Sequence, residues 1–136
     1  MLIDASNAFN PINRKVFLHK VKIICPSIAT FTTNCHSSSS RLFVVGGTEI
    51  LLSDGTTQGD LIAGLVYAIA IIPMILRTVQ NLQHQNTNTK AAAYADDLFG
   101  GGKLRGLRIM WDFNEQDVPD CGYYQQASQT WIIVKP

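Results

Sequence analysis

The sequence predicts an α+β domain, an antiparallel sheet with helices packed on one face, and three observations support this. Two pairs of short β-rich runs flank tight turns, one at Gly46-Gly47 and one at Asp96-Asp97, which is the pattern of β-hairpins. Longer stretches with helix-like apolar spacing lie before, between and after them. Hairpins interleaved with helices, with no internal repeat and no evident linker, favour a single α+β domain over residues 1–136.

The elements follow in order. Residues 1–3 form a short apolar strand that runs into Asp4 and is ended by the small, polar Ser6, Asn7 and Asn10. Pro11 suits the first helical position after Asn10, and Val16, Phe17, Lys20, Val21 and Ile24 continue a helix that Pro26 stops. Residues 27–40, with their Thr and Ser content, read as a loop or weak helix. Residues 42–45 and 49–52 make the first hairpin, and residues 61–79 make a long helix weakened near Pro73. A polar loop over 80–90 leads to the second hairpin, 91–94 with 98–99. An amphipathic helix through Leu104, Leu107 and Met110 ends before Pro119, and residues 131–134 close the chain as a strand.

Composition limits the function classes. Charged residues are 15% and apolar residues 46% of the chain, a thin charge cover for a free-standing soluble domain, and the net charge of +1 gives no basic excess of the kind many nucleic-acid binders carry. Cys25, Cys35 and Cys121 form no CxxC pair and no disulfide framework, so an intracellular, reducing environment is expected and no structural metal is assigned to Cys35-His36. The first residues lack a basic n-region, which argues against a signal peptide and against secretion. The apolar run 61–76 falls short of the roughly 18 to 20 residues needed to span a bilayer, so a buried core helix and no membrane partner are expected.

Three carboxylates carry the chemistry. Asp4 stands at the end of an apolar strand, and Asp96 with Asp97 stands at a hairpin tip, so a sheet can bring them side by side. Taken one at a time they are ordinary turn or capping residues. Clustered without Lys or Arg they repel, and a divalent cation with hard oxygen ligands such as Mg²⁺ relieves that repulsion.

The surrounding residues resemble a known family. Asp4-Ala5-Ser6-Asn7-Ala8-Phe9 is similar to the first palm motif of reverse transcriptases, Gly55-Thr56-Thr57-Gln58-Gly59-Asp60 to the second, and Tyr94-Ala95-Asp96-Asp97 to the third. Gly122-Tyr123 followed by Ser128-Gln129-Thr130-Trp131 looks like the fourth. All occur in family order and together span nearly the whole chain, as in a retrotransposon-type palm without fingers or thumb.

The resemblance implies an RNA-directed DNA polymerase with two Mg²⁺ ions, Mn²⁺ being the substitute. Asp4, Asp96 and Asp97 would be the catalytic metal-binding carboxylates, and the Ala5 carbonyl a further ligand. Phe9 would be the steric gate under the nucleotide sugar, Gln58 and Gly59 would lie beside template and incoming deoxynucleoside triphosphate, and Tyr94 would touch the primer end. Its partners would be an RNA template and a DNA primer, with fingers and thumb supplied by other segments. Two departures stand out: Leu61 follows Asp60 where the family has proline, and Gln129 stands where it has a lysine that protonates pyrophosphate. The chain begins three residues before Asp4, so a catalytically inactive relic acting as an interaction module is the alternative expectation.

Overall fold

The computed structural model describes residues 1–56, 59–117 and 121–134. The elements are β1 (Leu2–Ile3), α1 (Arg14–Ile24), α2 (Ala29–His36), β2 (Ser40–Val44), β3 (Thr48–Leu52), α3 (Ala63–His84), β4 (Lys90–Tyr94), β5 (Asp97–Gly101) and α4 (Leu104–Asp117). Short 3₁₀ turns cover Pro26–Ile28 and Ala127–Gln129. The class is α+β with small antiparallel sheets, as the sequence predicts. The chain forms two compact units, Met1–Ala8 with Ile71–Pro136, and Phe9–Ala70, the division falling inside α3.

The first unit is built on a three-stranded antiparallel sheet of order β1-β5-β4, with Leu2 opposite Phe99 and Tyr94 opposite Asp97. Successive side chains of a strand alternate between faces. Ile3 and Leu98 therefore point to one side, where they join Leu82 of α3 and Met110 of α4 in a core that Ala91, Ala93 and Ile75 extend. Helices cover that face. The other face carries Ala92, Tyr94 and Phe99, all exposed. Gly100 permits the close approach, since a Cβ there would lie 2.8 Å from Met110 Sδ and 2.9 Å from Leu107 Cδ2. A buried bond from Thr78 Oγ1 to Asn114 Oδ1, 2.7 Å, ties α3 to α4.

The second unit packs α1 against α2, with Phe17 meeting the His36 ring edge-on at 5.4 Å. Arg14 is buried and donates from each of its guanidinium nitrogens: Nε to Gly55 O, Nη1 to Ser38 O and Nη2 to Ser40 Oγ. The β2–β3 hairpin pairs in register from Ser40↔Leu52 to Val44↔Thr48, around the expected glycines. It exposes Phe43, Val45 and Leu51.

Several boundaries differ from expectation. Helix α1 starts at Arg14, because Asn13 Oδ1 accepts from the Val16 amide and caps it there; Asn10 and Pro11 precede the helix. The weak 27–40 segment contains α2, whose Thr32 and His36 are buried, so packing overrides poor propensity. Helix α3 runs unbroken through Pro73 to His84, which shortens the expected polar loop. At 22 residues it is long and apolar enough to cross a membrane by length and composition, so the length objection fails, while 44% of its most apolar stretch is buried. The expected closing strand is reduced to one bridge, Leu2↔Trp131. Ile132, Ile133 and Val134, which follow the bridge, are exposed.

Candidate active site

The carboxylates gather because the strand register demands it. Ile3 pairs with Leu98, so one further step places Asp4 beside Asp97, the first residue of β5. Tyr94 is the partner of Asp97 on the other side. Residues opposite one another share a face, so Asp4, Asp97 and Tyr94 form a row across β1, β5 and β4 on the side away from the helices. Asp96 is next in the turn that joins β4 to β5. This loop has two central residues, and the first, Ala95, sits at φ +52°, a conformation that favours glycine.

The free edge of β1 is held by the segment after α4. Ser6 N donates to Tyr124 O at 2.7 Å and Gln126 N to Asp4 O at 2.9 Å, around the bridge Ala5↔Gln125. In such a narrow pair the central residue's own N–H and C=O turn away from its partner. The Ala5 carbonyl is thereby directed to the side on which Asp97 begins β5.

Charge is concentrated here without neutralisation. Asp97 is held above the usual carboxylate range by partial desolvation first, and then by the negative charges of Asp96 and Asp4. Tyr123, 2% exposed, donates its hydroxyl to the Asp96 carbonyl at 3.4 Å. Its own ionisation is strongly suppressed, by burial first and then by Asp4, Asp96 and Asp97. The phenol therefore stays a hydrogen-bond donor. Among the described residues none of the three carboxylates has an ion-pair partner.

This donor set suits a hard divalent cation in kind: three carboxylates and a backbone carbonyl, mutually repelling and open to solvent on one face. Among the described residues no three His, Cys, Asp or Glu side chains converge closely enough to form a ready-made cage. Mg²⁺ is ordinarily held by one or two carboxylates with water and substrate phosphates completing the shell, so such a cage is not required.

The remaining predicted residues fall elsewhere. Phe9 and Gly59 belong to the second unit. There the Phe9 ring lies 4.8 Å from Tyr67 at 41°, and the Phe9 carbonyl accepts from Thr56 N at 2.9 Å, which ties the first motif's end to the start of the second. Gly59 has φ +95° with open space where a Cβ would stand, and Asp60 Oδ1 accepts from Ile62 N ahead of α3. Gln58 lies outside the described residues. Two residues with roles at the carboxylates are absent from the sequence-derived site: Tyr123, whose signal was its place in the fourth motif, and Ala95, whose strain has no sequence signal. No protein-family model and no curated protein matches the chain.

Proposed function

We propose that the chain is the palm of an RNA-directed DNA polymerase, which adds deoxynucleotides to a primer 3′ end on an RNA template. The observation that supports it best is the row of Asp4 and Asp97 across β1 and β5, with Asp96 in the adjoining turn, on the helix-free face of the sheet. Asp4, Asp96 and Asp97, with the Ala5 carbonyl, would hold two Mg²⁺ ions. When bound, the ions supply activation of the primer hydroxyl and neutralisation of the leaving pyrophosphate.

The chain's own groups do the positioning. Tyr123 anchors the Asp96 turn from beneath through its hydroxyl. Tyr94, 78% exposed and in line with the carboxylates, offers a stacking surface to the primer end. Phe9, braced by Tyr67, is the sugar-selecting side chain, and Gly59 leaves its backbone open to template and nucleotide. Gln129 lies in an exposed 3₁₀ turn and has no proton to give as a cationic acid, so water would protonate the pyrophosphate.

A second reading, a catalytically inactive palm relic, is favoured by Gln129 and by the lack of a tight three-carboxylate cluster among the described residues. Mg²⁺-dependent extension of a DNA primer on an RNA template separates the two. Extension that Asp96→Ala abolishes supports the polymerase. Silence of the wild-type chain, with no Mg²⁺-induced shift at Asp4 or Asp97, supports the relic. Efficient ribonucleotide incorporation would refute the gate role of Phe9.

A further inference from the structure

We infer that Arg14 is a positioning residue for Phe9: it fixes the Gly55–Thr56 peptide group, which in turn holds the Phe9 backbone, and so takes part in choosing between deoxy- and ribonucleotides. The inference rests on the sugar-selecting role proposed for Phe9 and adds to it a buried residue outside the four motifs.

The peptide group between Gly55 and Thr56 is gripped at both ends. Its N–H, from Thr56, donates to the Phe9 carbonyl at 2.9 Å, and its C=O, from Gly55, accepts from Arg14 Nε at 2.9 Å. The two groups belong to one planar trans peptide and point in opposite directions, so a hold on one end orients the other. Hydrogen bonds linked through a peptide in this way also strengthen one another. One bond earlier, Gly55 N donates to Ile12 O at 2.8 Å, and the positive φ of Gly55 lets its backbone lie directly against Asn10. Rotation of the Gly55–Thr56 peptide would release the Phe9 carbonyl, and the Arg14 guanidinium opposes that rotation.

Arg14 stands where stability alone would not place a cation. It is only 5% exposed, and as the first residue of α1 it lies at the positive end of the helix dipole. Its three acceptors, Gly55 O, Ser38 O and Ser40 Oγ, are all neutral. Burial weakens its hold on its proton, and the charge of Asp54 offsets this only in part. A buried charge can often be exchanged for an apolar side chain without loss of stability, so packing gives little reason for a guanidinium here. What the guanidinium offers is a rigid planar fork that neither lysine nor an apolar residue can supply. Nη1 on Ser38 O at 2.7 Å and Nη2 on Ser40 Oγ at 3.1 Å fix the plane of that fork, which aims Nε at Gly55 O. The orientation passes through the peptide to Phe9, whose ring rests on Tyr67 at 4.8 Å. A steric gate discriminates by contact distance, so a small displacement of its backbone changes selectivity.

Primer extension on an RNA template, with kcat and KM measured for deoxy- and ribonucleotides, tests this in Arg14→Lys and in Ser40→Ala, which removes one anchor of the fork. Discrimination against ribonucleotides should fall about tenfold in Arg14→Lys and about threefold in Ser40→Ala, mainly through KM. A merely structural residue would reduce the fraction of active molecules, and so kcat, while leaving KM and discrimination unchanged. Amide exchange on the same variants without nucleotide reads the geometry apart from catalysis: Thr56 should lose protection while Phe17 and Val21 keep theirs. If Arg14→Lys also exposes Val21, the milder Ser40→Ala decides. Unchanged discrimination in an active variant, or full protection of Thr56 in folded Arg14→Lys, would overturn the inference. A wild type that extends no primer, with Thr56 still losing protection in Arg14→Lys, would overturn the polymerase reading and with it the part of Arg14 in selection.

Discussion

Replacing Gly55 by alanine should cost about 3 kcal/mol, and the figure follows from its surroundings. Gly55 is buried at φ +75°, and a Cβ there would overlap the backbone of Asn10, coming 2.7 Å from its carbonyl carbon and 2.8 Å from its Cα. These are main-chain atoms with no rotamer to escape through. The left-handed conformation alone costs an alanine about 1–2 kcal/mol. Relief of the overlap requires the strands of chain to part, which threatens Gly55 N to Ile12 O at 2.8 Å and Thr56 N to Phe9 O at 2.9 Å. Each such bond contributes about 0.5–1.5 kcal/mol net. Gly47→Ala is the control: its φ is +89°, but nothing lies within 4 Å of the added carbon, so only the dihedral cost of about 1–2 kcal/mol applies. Urea unfolding followed by far-UV circular dichroism, with amide exchange of Phe17 and Val21, measures both variants. If Gly55→Ala loses no more than Gly47→Ala, the close approach of residues 10 and 55 is not the constraint described.

Three further outcomes are expected. Asp97 has its folded-state proton affinity raised, so its charged form is disfavoured on folding; that penalty is absent in acid and appears as pH rises through its folded pKa. Asp97→Asn should therefore be more stable than wild type at pH 7, by urea midpoint, and lose that advantage on acidification. His36 is shifted the other way, by burial first and Arg14 last, with Asp60 at 3.7 Å opposing both. Its contribution is complete above the free-histidine pKa of about 6.5 and is lost as pH falls through the lower folded value, which an NMR titration of the His36 ring would locate. Ala95→Gly removes the cost of φ +52° at an exposed turn position and should stabilise the hairpin by about 0.5–1 kcal/mol; a net loss would show that the alanine is not strained.

Electrostatic repulsion ties the stability of the first unit to its proposed chemistry. Asp96 and Asp4 add to the desolvation that disfavours the charged form of Asp97, and all three carboxylates disfavour the Tyr123 phenolate, while none has an ion-pair partner among the described residues. Under the proposed function, a cation bound among these groups would relieve that repulsion and stabilise the first unit.

Much was legible in the residues alone. Alternation and turn chemistry fix the two hairpins, because Gly46-Gly47 supplies positive φ and Tyr94 to Asp97 closes on a two-residue loop. The α+β class and the placing of Asp96 and Asp97 at a turn follow from the same short-range rules. What lay beyond the sequence depends on partners distant along the chain. The length of α2 depends on burying Thr32 and His36, and the reduction of the last strand to the single bridge Leu2↔Trp131 is a matter of tertiary pairing. The neighbourhood of Asp4 and Asp97 is set by the Ile3↔Leu98 register. The hold of Arg14 on the Gly55 carbonyl is likewise visible only in three dimensions. Local sequence specifies what each backbone segment can do cheaply; which of those options is taken, and which charges end up adjacent, is decided by burial and register between segments far apart in the chain.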